Sequence, residues 1–197
     1  TEQNYYEIYG INENELPQNS EIKMIFLLKD LVFSKQTPHI NLPIIAYNCN
    51  LKDLLSEPTK TEKKILTARR HRQNTNLVNV LISEWCTGGS LEDYLEKNIH
   101  VFKRNHLYFD VLFFQLLSLL TTIQRTYPSF RHNDLHLGNL LVEKTPLIYK
   151  KEFYLYKIKN ITCPNKYTNY VIPNLEYQIR LWDYDLSCID KIVNNKA

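Results

Sequence analysis

Glycine is scarce in this chain of 197 residues, which contains only four, at positions 10, 88, 89 and 138. A loop that wraps nucleotide phosphates needs several glycines close together, because backbone N–H groups must approach the phosphates without a Cβ clash. No such cluster exists, and Gly88-Gly89 predicts a turn instead. Residues 1–20 also contain no lysine, so no strand lysine precedes the first predicted helix. The sequence therefore lacks both elements that commonly grip nucleotide phosphates from above.

Paired cysteines, long apolar runs and a strong net charge are lacking too. Cys49, Cys86, Cys163 and Cys188 form no Cys-x-x-Cys pair, which favours reduced thiols inside a cell, in the cytoplasm or nucleus. No run approaches 18 uninterrupted apolar residues, so we expect no contact with a membrane. The net charge of +3 is too small to predict nucleic-acid binding. The chain begins with Thr1, not Met, which suggests a processed chain or a fragment.

Helical and strand patterns alternate along the chain, which predicts an α+β fold. Ser20 is a reasonable N-cap for a first helix, and Glu21 suits its first turn. The other predicted elements are strands at 42–47, 77–83, 140–142 and 176–182, and helices at 91–97 and 107–125. Residues 51–76 and 144–170 are expected insertions. The basic stretch 60–72 within the first one is most simply a solvated surface.

Three polar residues lie in an arrangement that suits phosphoryl transfer. Asp134 is followed five residues later by Asn139 and then by an apolar strand, and Asp183 follows further along, between bulky apolar residues. In this arrangement Asp134 would orient or deprotonate a hydroxyl acceptor. Asn139 and Asp183 would present oxygens to Mg²⁺, a hard cation that prefers oxygen ligands.

The two motifs at 134–139 and 183–187, with the segment 83–91 upstream, resemble those of the protein kinase superfamily. They are most similar to haspin-like kinases and protein kinases of large DNA viruses. The resemblance implies ATP and Mg²⁺ as cofactors, a protein substrate, and transfer of the γ-phosphate to a serine or threonine hydroxyl. If the protein is viral, a place in the virion also becomes an expectation.

The same resemblance assigns further site residues. Ser83 becomes the gatekeeper, and the Glu84 and Cys86 backbones would hydrogen-bond adenine. Glu21 takes the place of the helix glutamate that pairs with a strand lysine, and Glu7 is a second, weaker candidate for it. His136 stands where protein kinases have a phosphate-contacting lysine, so it is a second candidate catalytic residue.

The expected fold is a bilobal, protein-kinase-like arrangement in which both lobes are incomplete. Residues 1–83 would form part of the N-terminal lobe, and residues 84–197 the hinge and part of the C-terminal lobe. Another chain, or segments missing here, would complete the fold. Asn133 replaces an arginine that clamps a phosphorylated activation loop in many kinases, which argues against that mode of control.

Two other functions stay open. A catalytically inactive, kinase-derived scaffold or structural subunit would also lack the glycine-rich loop and the lysine. A small-molecule kinase of the aminoglycoside or choline phosphotransferase type uses a similar Asp-to-Asn motif, although the segment 88–91 favours the protein kinases. For single residues, His132 is expected to be a packed core histidine, and Asp185 is most simply a solvated turn acid.

Overall fold

The computed structural model describes residues 17–50, 77–148, 152–160 and 166–194. The expectations for residues 1–16 and for the basic insertion 51–76 lie outside these residues. Three α-helices are described: α1 (Pro17–Phe33), α2 (Leu91–Arg104) and α3 (Leu107–Thr126). The strands are β1 (Pro43–Asn50), β2 (Leu77–Ser83), β3 (Gly89–Ser90), β4 (Leu140–Lys144), β5 (Phe153–Lys159), β6 (Tyr167–Pro173) and β7 (Tyr177–Leu181).

Helix α1 begins earlier than its sequence pattern predicts. Its first residue is Pro17, a residue type that suits the first helical turn because its missing N–H would be unpaired there in any case. The prediction that Ser20 caps the helix is therefore wrong, as is the placement of Glu21 in the first turn. Ser20 is buried within the helix, and its hydroxyl donates to the Asn194 backbone oxygen at 3.3 Å.

The first sheet consists of β1 and β2, which pair antiparallel. One of its faces packs on α1, where Ala46 lies against Ile22 in a small buried cluster. The opposite face carries the cross-strand pair Ile45 and Ile82, which are 36% and 42% exposed. This sheet therefore has one covered face and one apolar face that no other described element covers.

The second sheet has the order β3-β4-β7 and lies beside α3 and α2. Its inward side chains, including Val142 and Ile179, join Leu119 and Ile123 of α3 in the main core. By length and apolar composition alone, α3 is long enough to cross a membrane. Its buried face, however, is that of a core helix, since the Gln115 side chain accepts from the Ile179 N–H at 2.9 Å.

Strands β5 and β6 form an antiparallel hairpin within and just beyond the expected insertion at 144–170, where no strands were predicted. His39, in the loop after α1, holds this hairpin against the core. Its Nδ1 lies 2.9 Å from the Ile179 oxygen, and its Nε2 lies 2.8 Å from the Tyr156 hydroxyl. Phe114 of α3 packs edge-on against the Tyr156 ring at 5.0 Å.

The α+β class is confirmed: small antiparallel sheets accompany three helices in the described residues. The last two helices are placed well by the sequence pattern, although α2 continues to Arg104, well past the predicted Lys97. The division into two incomplete lobes at residues 83 and 84 stays a prediction.

Candidate functional site

The loop between α3 and β4 carries the first motif, and strand pairing brings the second motif beside it. Residues 137–139 form a short 3₁₀ turn that leads directly into β4. Leu140 pairs with Leu181 of β7, and the Trp182 N–H donates to the Asn139 backbone oxygen at 3.1 Å. The chain therefore leaves β7 next to Asn139 and reaches Asp183 two residues after the end of the strand.

Asn139 is fixed by two hydrogen bonds to Asp134. Its buried side-chain amide donates to the Asp134 backbone oxygen at 2.9 Å and to the Asp134 carboxylate at 3.1 Å. The amide nitrogen is thereby occupied, so the Asn139 Oδ1 atom is the one left to bind a cation. The predicted acceptor-binding residue and the predicted metal ligand form one hydrogen-bonded unit.

Asp183 has a left-handed backbone conformation, with φ of 61°. This conformation is uncommon for residues with a side chain, although Asp and Asn adopt it more readily than others. Asp185 lies close enough for a hydrogen bond between the two carboxyl groups. Burial raises the pKa of Asp185, and the Asp183 carboxylate raises it further. Asp185 lies in a turn, as its simplest interpretation predicts, and it also lies beside Asp183.

Glu21 faces the same site from α1. Burial raises the pKa of its carboxyl to about 7, and the Asp183 and Asp185 carboxylates act in the same direction. The loop after α1 explains this proximity, because the Leu181 N–H donates to the His39 oxygen at 2.8 Å and so holds the loop on β7. Among the described residues, no lysine or arginine forms an ion pair with Glu21.

His136 lies over Asp134, with its Nε2 atom 3.7 Å from the Asp134 carboxylate. The Gly138 N–H donates to His136 Nδ1 at 3.0 Å, so Nδ1 is the unprotonated nitrogen of a neutral ring and Nε2 carries the proton. A Cβ at Gly138 would lie 2.7 Å from the His136 ring. The glycine therefore allows the close approach that orients this histidine.

Two neighbouring residues anchor the loop. His132 is buried, as predicted, and its Nε2 atom lies 3.2 Å from the Trp182 oxygen, while burial lowers its pKa. Asn133 has φ of 63°, and its amide donates to the Leu186 oxygen at 2.8 Å. The sequence analysis noted only that Asn133 stands where many kinases have an arginine. Asn is also among the residues that best tolerate a positive φ, which this position requires.

The hinge residues are held by a network that sequence reasoning missed. Asn41 donates to the Ser83 hydroxyl at 3.0 Å and accepts from the Cys86 thiol at 3.4 Å. The Glu84 carboxylate accepts from the Leu42 N–H at 2.8 Å. The Cys86 N–H has no hydrogen-bond partner among the residues that the structure describes, so it can donate to a ligand. Burial raises the pKa of the Cys86 thiol to about 11, so it remains a neutral thiol.

The donor atoms around Asp183 fit a hard cation. Asn139 offers an amide oxygen, and Asp183 and Asp185 offer carboxylate oxygens, which are the ligand types that Mg²⁺ prefers. In the described part of the chain, no three His, Cys, Asp or Glu side chains are grouped closely enough to enclose a metal by themselves. A Mg²⁺ ion at this place would therefore need waters or bound phosphates as further ligands.

Comparison with known proteins gives two relatives. A protein of Acanthamoeba polyphaga mimivirus named "Putative serine/threonine-protein kinase" is 35% identical over 199 aligned residues, which cover 95% of this chain and 41% of the relative. A protein of Dictyostelium discoideum named "Probable serine/threonine-protein kinase" is 29% identical over 116 residues, covering 59% of this chain and 9% of that relative. No protein-family profile matches the chain. The chain thus spans about two fifths of the mimivirus relative, and it is a homologue of proteins named as serine/threonine-protein kinases.

Proposed function

We propose that this chain forms the lower half of an ATP- and Mg²⁺-dependent protein kinase site that phosphorylates serine or threonine hydroxyls. The observation that supports this most directly is the pair of hydrogen bonds from Asn139 to Asp134, beside the strand end that carries Asp183. Phosphoryl transfer depends mainly on positioning and on charge neutralisation, and these residues supply both.

Each residue has a distinct task in this proposal. The Asp134 carboxylate, which is partly exposed, accepts the hydrogen bond of the acceptor hydroxyl and orients its oxygen. The Nε2–H group of His136 lies 3.7 Å from the Asp134 carboxylate and limits the directions in which that carboxylate can turn. Asn139 and Asp183, which strand pairing brings close together, offer oxygens with which a bound Mg²⁺ would neutralise phosphate charge.

The hinge provides an adenine site in the same proposal. The Cys86 N–H, which has no hydrogen-bond partner among the described residues, and the Glu84 backbone oxygen, which accepts from the Ser83 hydroxyl at 3.4 Å, flank Trp85, whose side chain is 85% exposed. The contacts of Asn41 keep Ser83 and Cys86 in place from the inner side. An adenine ring bound here would also cover the exposed apolar face that carries Ile82.

In this proposal, the groups that grip the phosphates from above come from outside the described residues, from another segment of a longer protein or from another chain. Two observations support this. Glu21 is partly buried with a raised pKa and lacks a cationic partner among the described residues. The sheet β1-β2 has only two strands in the described residues, and its edges are open to a further strand. A lysine on the side of such a strand that faces α1 would pair with Glu21.

The test uses the longest natural form of the protein that contains this chain. We expect Mg²⁺-dependent transfer of labelled phosphate from ATP to serine or threonine in a protein substrate. Asp134→Asn should lower the rate by at least about 10²-fold, as general-base losses typically do. Asp190→Asn, which alters an exposed acid after the site, should leave the rate unchanged. Phosphorylation only of small molecules, or a rate that is insensitive to Asp134→Asn, would contradict the proposal.

The second candidate is a non-catalytic, kinase-derived scaffold. The observation in its favour is again Glu21, which forms no ion pair with a lysine or arginine among the described residues. Absence of Mg·ATP binding by the longest natural form would favour this candidate over the kinase.

A further inference from the structure

A basic groove lies on the side of the molecule formed by the ends of α1 and α3 and by the β5-β6 hairpin. Its cavity has a volume of about 790 Å³. Four cationic side chains line it: Lys35, Arg125, Lys157 and Lys159. Its lining includes no residue of the loop 132–139 or of the segment 183–187. The groove is therefore separate from the proposed phosphotransfer site.

The charge of this groove is unusual for the chain that forms it. The whole chain has 24 basic and 21 acidic residues, so a typical patch of its surface should mix both signs. Among the described residues that line the groove there is no Asp or Glu. At physiological ionic strength the screening length is about 8 Å, so cations within one cavity reinforce each other. The groove therefore attracts an anion.

The fold holds the guanidinium of Arg125 and the backbone of Lys35. The Arg125 guanidinium donates to the Lys159 backbone oxygen at 3.4 Å and to the Gln36 side chain at 3.3 Å, which orients its plane across the groove. Lys35 has φ of 58° and occupies the position after α1 where helices usually have glycine. Hydrogen bonds from Lys35 N–H to the Val32 oxygen and from Gln36 N–H to the Leu31 oxygen close that helix end.

The groove continues into a second cavity of about 290 Å³, which shares Lys35 and Lys157 with the first. Beyond the shared residues its lining is uncharged and partly apolar, with Pro38, Leu155 and Tyr154. A nucleic acid would need cations spaced along its whole path, whereas the part of the second cavity at Pro38, Tyr154 and Leu155 carries none. A peptide with one phosphorylated residue beside an apolar residue fits both cavities.

We propose that the basic groove binds a phosphorylated segment of a protein partner, with the phosphate on Arg125, Lys157 and Lys159 and a neighbouring apolar side chain against Leu155. A phosphate group has three strong acceptor oxygens and about two negative charges, which matches a cluster of several cations. This proposal does not depend on catalysis, because the groove and the phosphotransfer site share no residue.

The test measures fluorescence anisotropy of a short labelled peptide that contains phosphoserine beside leucine, added to the full chain. We expect saturable binding that weakens by about tenfold or more in Lys157→Glu/Lys159→Glu, since charge-assisted hydrogen bonds are lost. The matched control, Lys97→Glu/Lys144→Glu, reverses two exposed charges elsewhere and should bind as the parent does. If the double reversal unfolds the chain, Lys157→Ala replaces it, because Lys157 is exposed.

The other arms separate the possible sources of the anion. The unphosphorylated peptide should bind much more weakly, and a glutamate in place of phosphoserine should give intermediate binding. Equal weakening in the control variant would show nonspecific charge attraction and overturn the proposal. Tighter binding of a single-stranded oligonucleotide, lost in the groove variant, would make the groove a nucleic-acid site instead and would also overturn it.

Discussion

The Tyr156 hydroxyl donates to His39 Nε2 at 2.8 Å, across 117 positions of sequence. Because His39 Nδ1 faces the Ile179 backbone oxygen, which can only accept, Nδ1 carries the proton and Nε2 must be the acceptor. Burial lowers the pKa of His39 to about 3, so the ring stays neutral. This contact ties the β5-β6 hairpin to the loop that leads from α1 to β1.

Tyr156→Phe should lower the free energy of unfolding by about 1–3 kcal/mol, because it leaves the buried His39 Nε2 without a donor. Chemical denaturation monitored by circular dichroism measures this. Tyr154→Phe is the control, since the Tyr154 hydroxyl has no hydrogen-bond partner among the described residues, and it should change stability by about 0.5 kcal/mol or less. Equal effects of the two substitutions would show that the His39 contact is not structural.

Glu21→Gln should stabilise the chain above pH 7 and have little effect below pH 4.5. The folded pKa of Glu21 is raised from 4.5 to about 7, so between these values the folded state binds more protons than the unfolded state. The contribution of Glu21 to the free energy of unfolding is therefore present at low pH and is lost as pH rises from 4.5 through 7. The gain at pH 8 is on the order of 3 kcal/mol.

Denaturation curves at pH 4, 6 and 8 test this expectation. Glu96→Gln alters an exposed glutamate of α2 and serves as the control. If Glu21→Gln and its parent show the same pH dependence, Glu21 is not buried beside Asp183 and Asp185. A lysine or arginine side chain that pairs with Glu21 should also remove the difference in pH dependence between Glu21→Gln and its parent.

Mg²⁺ should raise the melting temperature of the chain, and the increment should require both Asn139 and Asp183. A ligand at ten times its Kd raises the free energy of unfolding by about 1.4 kcal/mol. Each kcal/mol raises the melting temperature of a domain of this size by roughly 2–4 °C. Asp183→Asn suits the test because Asn also tolerates the left-handed conformation at this position.

Differential scanning fluorimetry with and without MgCl₂ gives the increment for each variant. We expect it to vanish in Asn139→Ala and Asp183→Asn and to persist in Asp190→Asn. Asp183→Asn relieves repulsion with Glu21 and so raises the baseline, which is why the increment is compared and not the melting temperature alone. An increment that survives in both site variants would place the cation elsewhere.

Gly88→Ala should destabilise the chain more than Gly89→Ala. A Cβ at Gly88 would lie 2.6 Å from the Val142 backbone oxygen, which also accepts the Gly88 N–H at 2.7 Å, so the hinge exit must move away from β4. We expect a cost of about 2–3 kcal/mol. Gly89 has open space around it but a φ of 76°, so its alanine variant suffers only backbone strain of about 1 kcal/mol. The reverse order in urea denaturation would contradict this account.

Residues 1–197 alone should show little or no transfer of phosphate from ATP. Loss of one stabilising donor from a phosphotransfer site typically costs about 10²–10³-fold in rate. Here the sequence has no cluster of glycines for a phosphate loop, and the described strands β1 and β2 carry no lysine. Asp134→Asn should therefore match the unchanged chain in a labelled-ATP assay. Robust transfer by this chain, abolished by Asp134→Asn, would show that another residue replaces the lysine.

The local sequence was sufficient to predict the bounds of those elements whose hydrophobic pattern agrees with their tertiary contacts. Strand β2 lies where its apolar run predicts, and α3 extends one residue past its predicted end. The spacing of Asp134 and Asn139 was a good guide because five residues and one 3₁₀ turn fix their contact locally. Ser20 was misjudged as a cap because a capping residue and a buried helical serine look alike until the chain before them is placed.

Tertiary structure alone decided which distant groups meet. Glu21 and Asp183 are 162 positions apart, and their mutual repulsion arises only because the loop after α1 pairs with β7. The four cations of the basic groove come from three elements, and none of them stands out in the sequence. Periodicity in a sequence reports which side chains are buried, because burial repeats with each helix turn or strand pleat. It does not report which other element buries them, and that choice sets the local charge, the pKa of Glu21 and the shape of the groove.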